Sequence, residues 1–363
     1  MEQKTRQLTV RETTMVKGVA IILLLMYHCF SAEERLMGAE VTFLFSKEKE
    51  MWLCNAANVC VGMFAVLSSY GITISSRKYF QEKKISPAYF VHRLFSLLSG
   101  FFPIYILCYL GCEYFNTMPE FGQGLNRMVY VCLDFLGVAW IVSSPSLCTT
   151  WWYMGFTILV IFLVPVFLKL TEAVGNIEIM GLFLILSGVL QMPYSNMTKW
   201  IFAVLLGCIA AKEQWFEKMG QMTFGNSKIT WAINTVILGF LIWLGQSSMG
   251  FHNLIFSTRG VTPFFVVFYC YRYLCCGIAG KVFFFLGKHS MNIFLVHTFI
   301  RATWFSEFTY SFRYPVVIVL VLLGCSILVS VVVEGMKKYL GYEKLMKAFE
   351  KKLMAMLEHT NRV

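Results

Sequence analysis

The chain has 363 residues, 58% of them hydrophobic and only 14% charged, with a formal net charge of +11. That is too little polar surface to cover a soluble globule of this size, so the composition specifies a polytopic membrane protein. The apolar runs are continuous, not alternating, which excludes a transmembrane β-barrel. The basic residues lie in short loops and at the two ends, without an aromatic-interleaved basic domain, so the partner they suit is the anionic lipid bilayer and not nucleic acid.

Eleven apolar segments follow one another at about 15–32, 53–76, 89–112, 127–143, 150–170, 178–193, 197–212, 229–247, 260–276, 287–304 and 314–335. Polar residues 1–13 lead into the first with no small-residue cleavage site, so it is expected to stay as an anchor. Lys4, Arg6, Arg11 and Lys17 at the start mark a cytoplasmic side, as do Arg77, Lys78, Lys83 and Lys84 after the second segment. The same holds for Lys337, Lys338, Lys344, Lys347, Lys351 and Lys352 at the end. These assignments agree only if one segment does not cross. Residues 127–143, which contain Asp134, are the expected exception, as a re-entrant or buried half-helix.

The expected fold is therefore all-α, with about ten transmembrane helices plus that half-helix and both termini cytoplasmic. Residues 1–335 form the membrane domain. Residues 336–363 form a basic tail, in which Leu345, Phe349, Leu353, Met356 and Leu357 share one face of an amphipathic helix. The cysteines fall mainly inside apolar segments, no C-x-x-C pair occurs, and no metal is expected.

Ionisable groups inside apolar segments are costly and mark candidate chemistry. His28 lies eleven residues beyond Lys17, about 16 Å along a helix. His297 lies nine residues beyond Lys288, about 13 Å. Two histidines at similar depth suit one polar cavity open to the cytoplasm, and each equally suits a hydrogen-bonded packing role. His289, His92, His252 and His359 lie at segment edges or beyond. Arg93, about five residues into the third segment, can snorkel or grip an anion, and Arg77, Lys78, Lys83 and Lys84 nearby would form an electrostatic funnel for an anionic cofactor.

The stretch K-G-V-A-I-I-L-L-L-M-Y-H from Lys17 to His28 resembles the first-helix signature of acyltransferase family 3, a family of integral membrane proteins. M-F-A-V-L-S-S-Y-G-I from Met63 to Ile72 is similar to its F-x-x-x-S-G-Y pattern, with Ser69 where glycine is usual. Y-F-V-H-R-L from Tyr89, W-W-Y-M from Trp151 and F-L-G-K-H-S-M-N-I-F-L-V-H-T-F from Phe285 resemble three further landmarks, in the family's order. Lys17 stands where many members have arginine, and the basic residues that often follow the position of Arg93 are absent.

The resemblance implies transfer of an acyl group, most often acetyl from cytoplasmic acetyl-CoA, to a hydroxyl of a cell-surface or lipid-linked glycan in a bacterial plasma membrane. It also implies that His28 is essential and that Arg93 helps hold the donor. On that basis His28 is the expected general base, Arg93 and Lys17 bind CoA phosphates, and Ser68, Tyr70, Trp152 and His297 line the pocket. A transient acyl-imidazole on His28 is an open variant. A transporter or flippase using His28, His297 and Arg93 to bind a charged solute is the alternative, although no pairing of interrupted helices in two halves supports it.

Overall fold

The computed structural model describes residues 7–80, 86–189, 195–247 and 252–360, and among them there are helices and no strands. Lys4, Arg6, Lys83 and Lys84, together with the side chains of Arg77, Lys78, His252, Leu357 and His359, lie outside the described residues. The proposed basic funnel is therefore not described.

Helix α1 spans Val10–Phe30, five residues ahead of the expected apolar start. A capping box fixes that start: the Thr9 hydroxyl accepts from the Glu12 amide at 3.3 Å and the Glu12 carboxylate accepts from the Thr9 amide at 2.9 Å. After a short α2 (Lys47–Ala56) come α3 (Val59–Phe80) and α4 (Pro87–Tyr114), the latter capped by Ser86 with proline at its first position. Helix α5 covers Gly124–Phe135. Its 12 residues reach only about 18 Å, too short to cross a bilayer, in keeping with a half-helix.

The remaining helices are α6 (Trp152–Ala173), α7 (Asn176–Val189), α8 (Ile201–Glu213), α9 (Trp215–Gln221), α10 (Ser227–Ser247) and α11 (His252–Tyr269). They are followed by α12 (Gly277–Thr298), α13 (Ser306–Tyr310), α14 (Pro315–Tyr339) and α15 (Tyr342–Thr360). Among the described residues six helical spans, Val10–Phe30, Lys47–Ser76, Pro87–Tyr114, Thr149–Ala173, Ser227–Ser247 and Pro315–Tyr339, are long and apolar enough to cross a membrane. The expectation of about ten is met for these six. Helices α7 and α8, with 14 and 13 residues, are shorter than a full crossing, and α11 and α12 carry Arg259, Lys281 and Lys288 within them.

The helices divide into two compact units. The first comprises Met1–Arg35, Phe43–Ser75 and Leu163–Ser290, and the second Leu36–Thr42, Ser76–Phe162 and Met291–Val363.

In the first unit α1 crosses α12 without intervening side chains. A Cβ on Gly18 would run into the backbone of Phe283, and a Cβ on Gly287 into the carbonyl of Thr14. Small residues of this kind let helices in a membrane gain dispersion contact backbone to backbone. A second such site joins α3 to α8, where Gly207 leaves room for the Ser69 side chain, whose hydroxyl donates to the carbonyls of Ala65 and Val66. The unusual serine is therefore matched by a glycine across the interface.

In the second unit the Tyr89 hydroxyl donates to Ile161 O at 2.8 Å and joins α4 to α6. The Asn292 amide donates to Ser330 and Glu334 at 2.9 and 3.0 Å and joins α12 to α14. Helix α15 packs on α4: the Tyr342 hydroxyl donates to Ser99 O, Phe349 stacks on Phe95, and His92 lies 2.6 Å from Glu350. The apolar face read from the tail sequence thus contributes Phe349 to a helix partner.

Asp134, at the end of α5 and 2% exposed, accepts from the Leu147 amide at 2.9 Å and so ties α5 to the loop before α6. Burial pushes its carboxyl up to about 6, against the opposing hydrogen bonds from Ser146, Leu147 and Tyr105.

The Gly18→Val variant should force α1 from α12 and cost about 1–3 kcal/mol, seen as a lower melting temperature of the detergent-purified protein. Gly324→Ala, where a Cβ meets open space, should leave it unchanged. Because the folded carboxyl of Asp134 titrates near 6 and an unfolded one near 4, native stability should fall as pH rises from about 4 to about 6 and then level off, by on the order of 3 kcal/mol. Asp134→Asn retains an acceptor for Leu147. Its melting advantage over the parent should therefore grow across that window and stay constant above it; an advantage independent of pH would refute the assignment.

Candidate active site

The seven residues singled out from the sequence divide between the two units. Lys17, His28, Ser68 and Tyr70 belong to the first, and Arg93, Trp152 and His297 to the second.

His28 sits on the last turn of α1 and is half-buried. The chain leaves α1 at Ser31, turns through a 3-10 segment at Glu33–Leu36, and brings Arg35 back so that its Nη1 donates to His28 Nδ1 at 2.8 Å. A guanidinium has no acceptor to offer, so Nδ1 is the accepting nitrogen and the proton of a neutral ring sits on Nε2. The Tyr27 ring meets His28 edge to face, and the Arg35 guanidinium lies over the face of Tyr27 at 4.6 Å. Arg35 is thus held by a ring and a hydrogen bond at once. The sequence alone did not single it out. The missed signal was its position, seven residues past the histidine and just beyond a helix end.

Lys17 is half-buried on the same helix, one residue before the Gly18 crossing. Ser68 is half-buried on α3, and Tyr70 is 2% exposed with its ring edge-on to Phe216.

In the second unit Arg93, near the start of α4, is half-buried and its Nη2 donates to Ser76 Oγ at 2.9 Å. Trp152 is half-buried against Tyr153 and Phe156. Its neighbour Trp151 is the buried one, with Nε1 donating to Leu295 O at 3.1 Å.

His297 is fully buried at the end of α12, just before a π-helical segment, Phe299–Trp304. Its Nδ1 donates to Phe294 O at 2.7 Å, and its Nε2 accepts from the Thr298 hydroxyl at 3.2 Å. A string of hydroxyls continues through Thr150, 3.2 Å from Thr298, to the Cys148 thiol 3.1 Å further on. Both ring nitrogens of His297 are thus occupied, the geometry of a hydrogen-bonded packing residue.

Such groups can do two kinds of chemistry. An imidazole can exchange a proton, and guanidinium or ammonium groups can hold an anion. Among the described residues no three His, Cys, Asp or Glu side chains are grouped as a metal site would group them.

No curated protein and no solved structure matches the chain. The model of one family, described as an acyltransferase domain, matches residues 13–335, from the first turn of α1 into the last turns of α14. That span takes in every fragment in which the resemblance was read, and the chain belongs to acyltransferase family 3.

Proposed function

We propose that this membrane acyltransferase moves a short acyl group, acetyl from acetyl-CoA, to a hydroxyl of a cell-surface or lipid-linked glycan, with His28 as general base. The observation that carries the reading is the His28–Arg35 pair: an imidazole with a defined tautomer beside a fixed positive charge. A thioester is already activated, so the protein needs to orient it, take the proton of the attacking hydroxyl, and stabilise the oxyanion.

His28 Nδ1 takes the hydroxyl proton as the acceptor oxygen bonds to the thioester carbonyl carbon. The tetrahedral intermediate then collapses with cleavage of the C–S bond, and the departing CoA thiolate recovers the proton. Arg35 fills the Nδ1 lone pair in the resting pair, so it leaves the ring as the hydroxyl docks there, and once Nδ1 is protonated the imidazolium and the guanidinium repel one another. That repulsion keeps Arg35 off the ring and leaves it to face the developing oxyanion. Arg93 and Lys17 bind CoA phosphates from the cytoplasmic side, and Ser68, Tyr70 and Trp152 line the pocket. Both termini then face the cytoplasm of a bacterial cell.

His28→Ala, at normal expression, should lower glycan acetylation by about a hundredfold or more, measured by mass of surface glycans or by release of free CoA. Wild-type transfer in this variant would end the reading. Arg35→Gln should reduce kcat about tenfold or more with the KM for acetyl-CoA unchanged; a change confined to that KM would place Arg35 with the donor instead. Arg93→Ala should show the opposite pattern, a raised KM for acetyl-CoA with kcat largely retained.

A further inference from the structure

In the first unit, α2, the start of α3, α10, α11 and the 3-10 turn Thr198–Trp200 before α8 enclose a recess of about 20 Å³ lined by Ala56, Val59, Trp200, Gln246, Arg259 and Thr262 among others. Two of its buried donors have no acceptor. Trp200 is 0% exposed, yet its Nε1–H is without a hydrogen-bond partner, and so is Nε of Arg259. The Arg259 guanidinium lies 5.4 Å from the centre of the Trp200 ring and the Lys199 ammonium 5.7 Å from it, so two cations share one indole. Gln246 is steadied by Asn55, whose Nδ2 donates to its Oε1 at 3.1 Å, which leaves the Gln246 amide N–H groups for other partners. Among the described residues no acidic side chain lines the recess.

A buried donor left unmet is costly, and a half-buried guanidinium that meets no acidic side chain among the described residues of the recess adds to that. Two such donors on residues that line one recess, with a second cation near, are explained if the recess holds an acceptor that is also an anion. Its volume exceeds the roughly 10–15 Å³ that one water-sized group requires, and is far below that of a sugar ring. It therefore takes a single oxygen, while the rest of the ligand stays at the mouth. Two nearby cations match the charge of a phosphate better than that of a carboxylate. Trp200 and Lys199 at a helix start are also residue types that gather where a bilayer meets water, at the depth of lipid phosphates.

We propose that this recess is a phosphate-binding site, with one phosphate oxygen accepting from Trp200 Nε1–H and from the Arg259 guanidinium, and with Lys199 and Gln246 meeting the others. The site stands apart from acyl transfer: nothing in its assignment uses His28, Arg35 or Arg93.

The test is binding by the full-length purified protein, read as thermal stabilisation. The probes are inorganic phosphate in neutral detergent, and nanodiscs of phosphatidylglycerol mixed with phosphatidylcholine compared with phosphatidylcholine alone. Stabilisation by inorganic phosphate would identify a free phosphate as sufficient. Stabilisation only in the phosphatidylglycerol discs would identify a lipid headgroup. Trp200→Phe keeps the aromatic surface and removes the donor, and Arg259→Gln removes the charge; each should weaken the response about tenfold.

Three results would overturn the proposal: no stabilisation of the parent protein by either probe, equal stabilisation of the parent and both variants, or stabilisation by chloride equal to that by phosphate. If either variant is not monodisperse, competition between inorganic phosphate and phosphatidylglycerol on the parent protein decides instead, since ligands of one site must displace each other. Loss of glycan acetylation plays no part in this test, so its outcome and that of the proposed activity are distinguishable.

Discussion

The constraint on which the first unit depends is the crossing of α1 and α12, where two glycines allow backbone to meet backbone. In a bilayer no hydrophobic force draws helices together, because lipid chains are as apolar as leucine, and contact must come from close packing. Gly18 and Gly287 supply that contact reciprocally, each against the main chain of the other helix. The crossing fixes α1 along its length, and with it Lys17 one residue before the contact and His28 at the far end. The basic residue, glycine and histidine of the first-helix signature are thus one mechanical object, an anchored rod with a charge near its pivot and an imidazole at its tip.

What that imidazole can do is set by the chain that follows it. Had α1 continued, Arg35 would lie nearly two helical turns beyond His28, about 10 Å along the axis. The turn at Ser31 and the 3-10 segment convert that separation into a hydrogen bond. The second histidine makes a useful contrast. His297 donates to the carbonyl three residues before it and accepts from the next hydroxyl, so its polarity is absorbed locally. His28 instead spends its accepting nitrogen on a charged side chain, which is the partner that a change of protonation can dislodge.

The sequence made the helices legible because apolar runs bounded by charge leave a chain in lipid few choices. It made α5 legible because the cytoplasmic assignments of the basic residues agree only if one segment does not cross, and the 12-residue helix agrees. The start of α1 was misplaced by five residues through reliance on hydropathy alone, although Thr9 and Glu12 spell a capping box that a search for caps would have found. Other features could not be read locally. That Ser69 faces Gly207, that Gly18 meets Phe283, and that Arg35 folds back on His28 are contacts made in three dimensions, and no periodicity along one helix encodes them. The buried tryptophan beside α6 is Trp151, while the one chosen from the sequence, Trp152, is half-buried; a helix start turns neighbouring residues to different faces, and the exact register decides which is which.

Two arginines on the α11 segment of the first unit illustrate how a buried charge can be classified without knowing its ligand. Arg272 follows α11 in a π-helical turn and is 9% exposed. Its guanidinium donates to the carbonyls of Met219 and Gly220 at 2.9 and 2.8 Å and approaches that of Met222. Those carbonyls close α9 at the negative end of its dipole, so Arg272 is consumed in ending a helix. Arg259, about three and a half turns earlier, has no such carbonyls on its Nε, lies over an indole whose own N–H is unmet, and borders a recess of about 20 Å³. The same residue type thus ends one helix and leaves an opening beside another. The difference lies in acceptors: where the fold supplies them an arginine is structural, and where it withholds them from two adjacent donors the missing acceptor has to come from outside the chain.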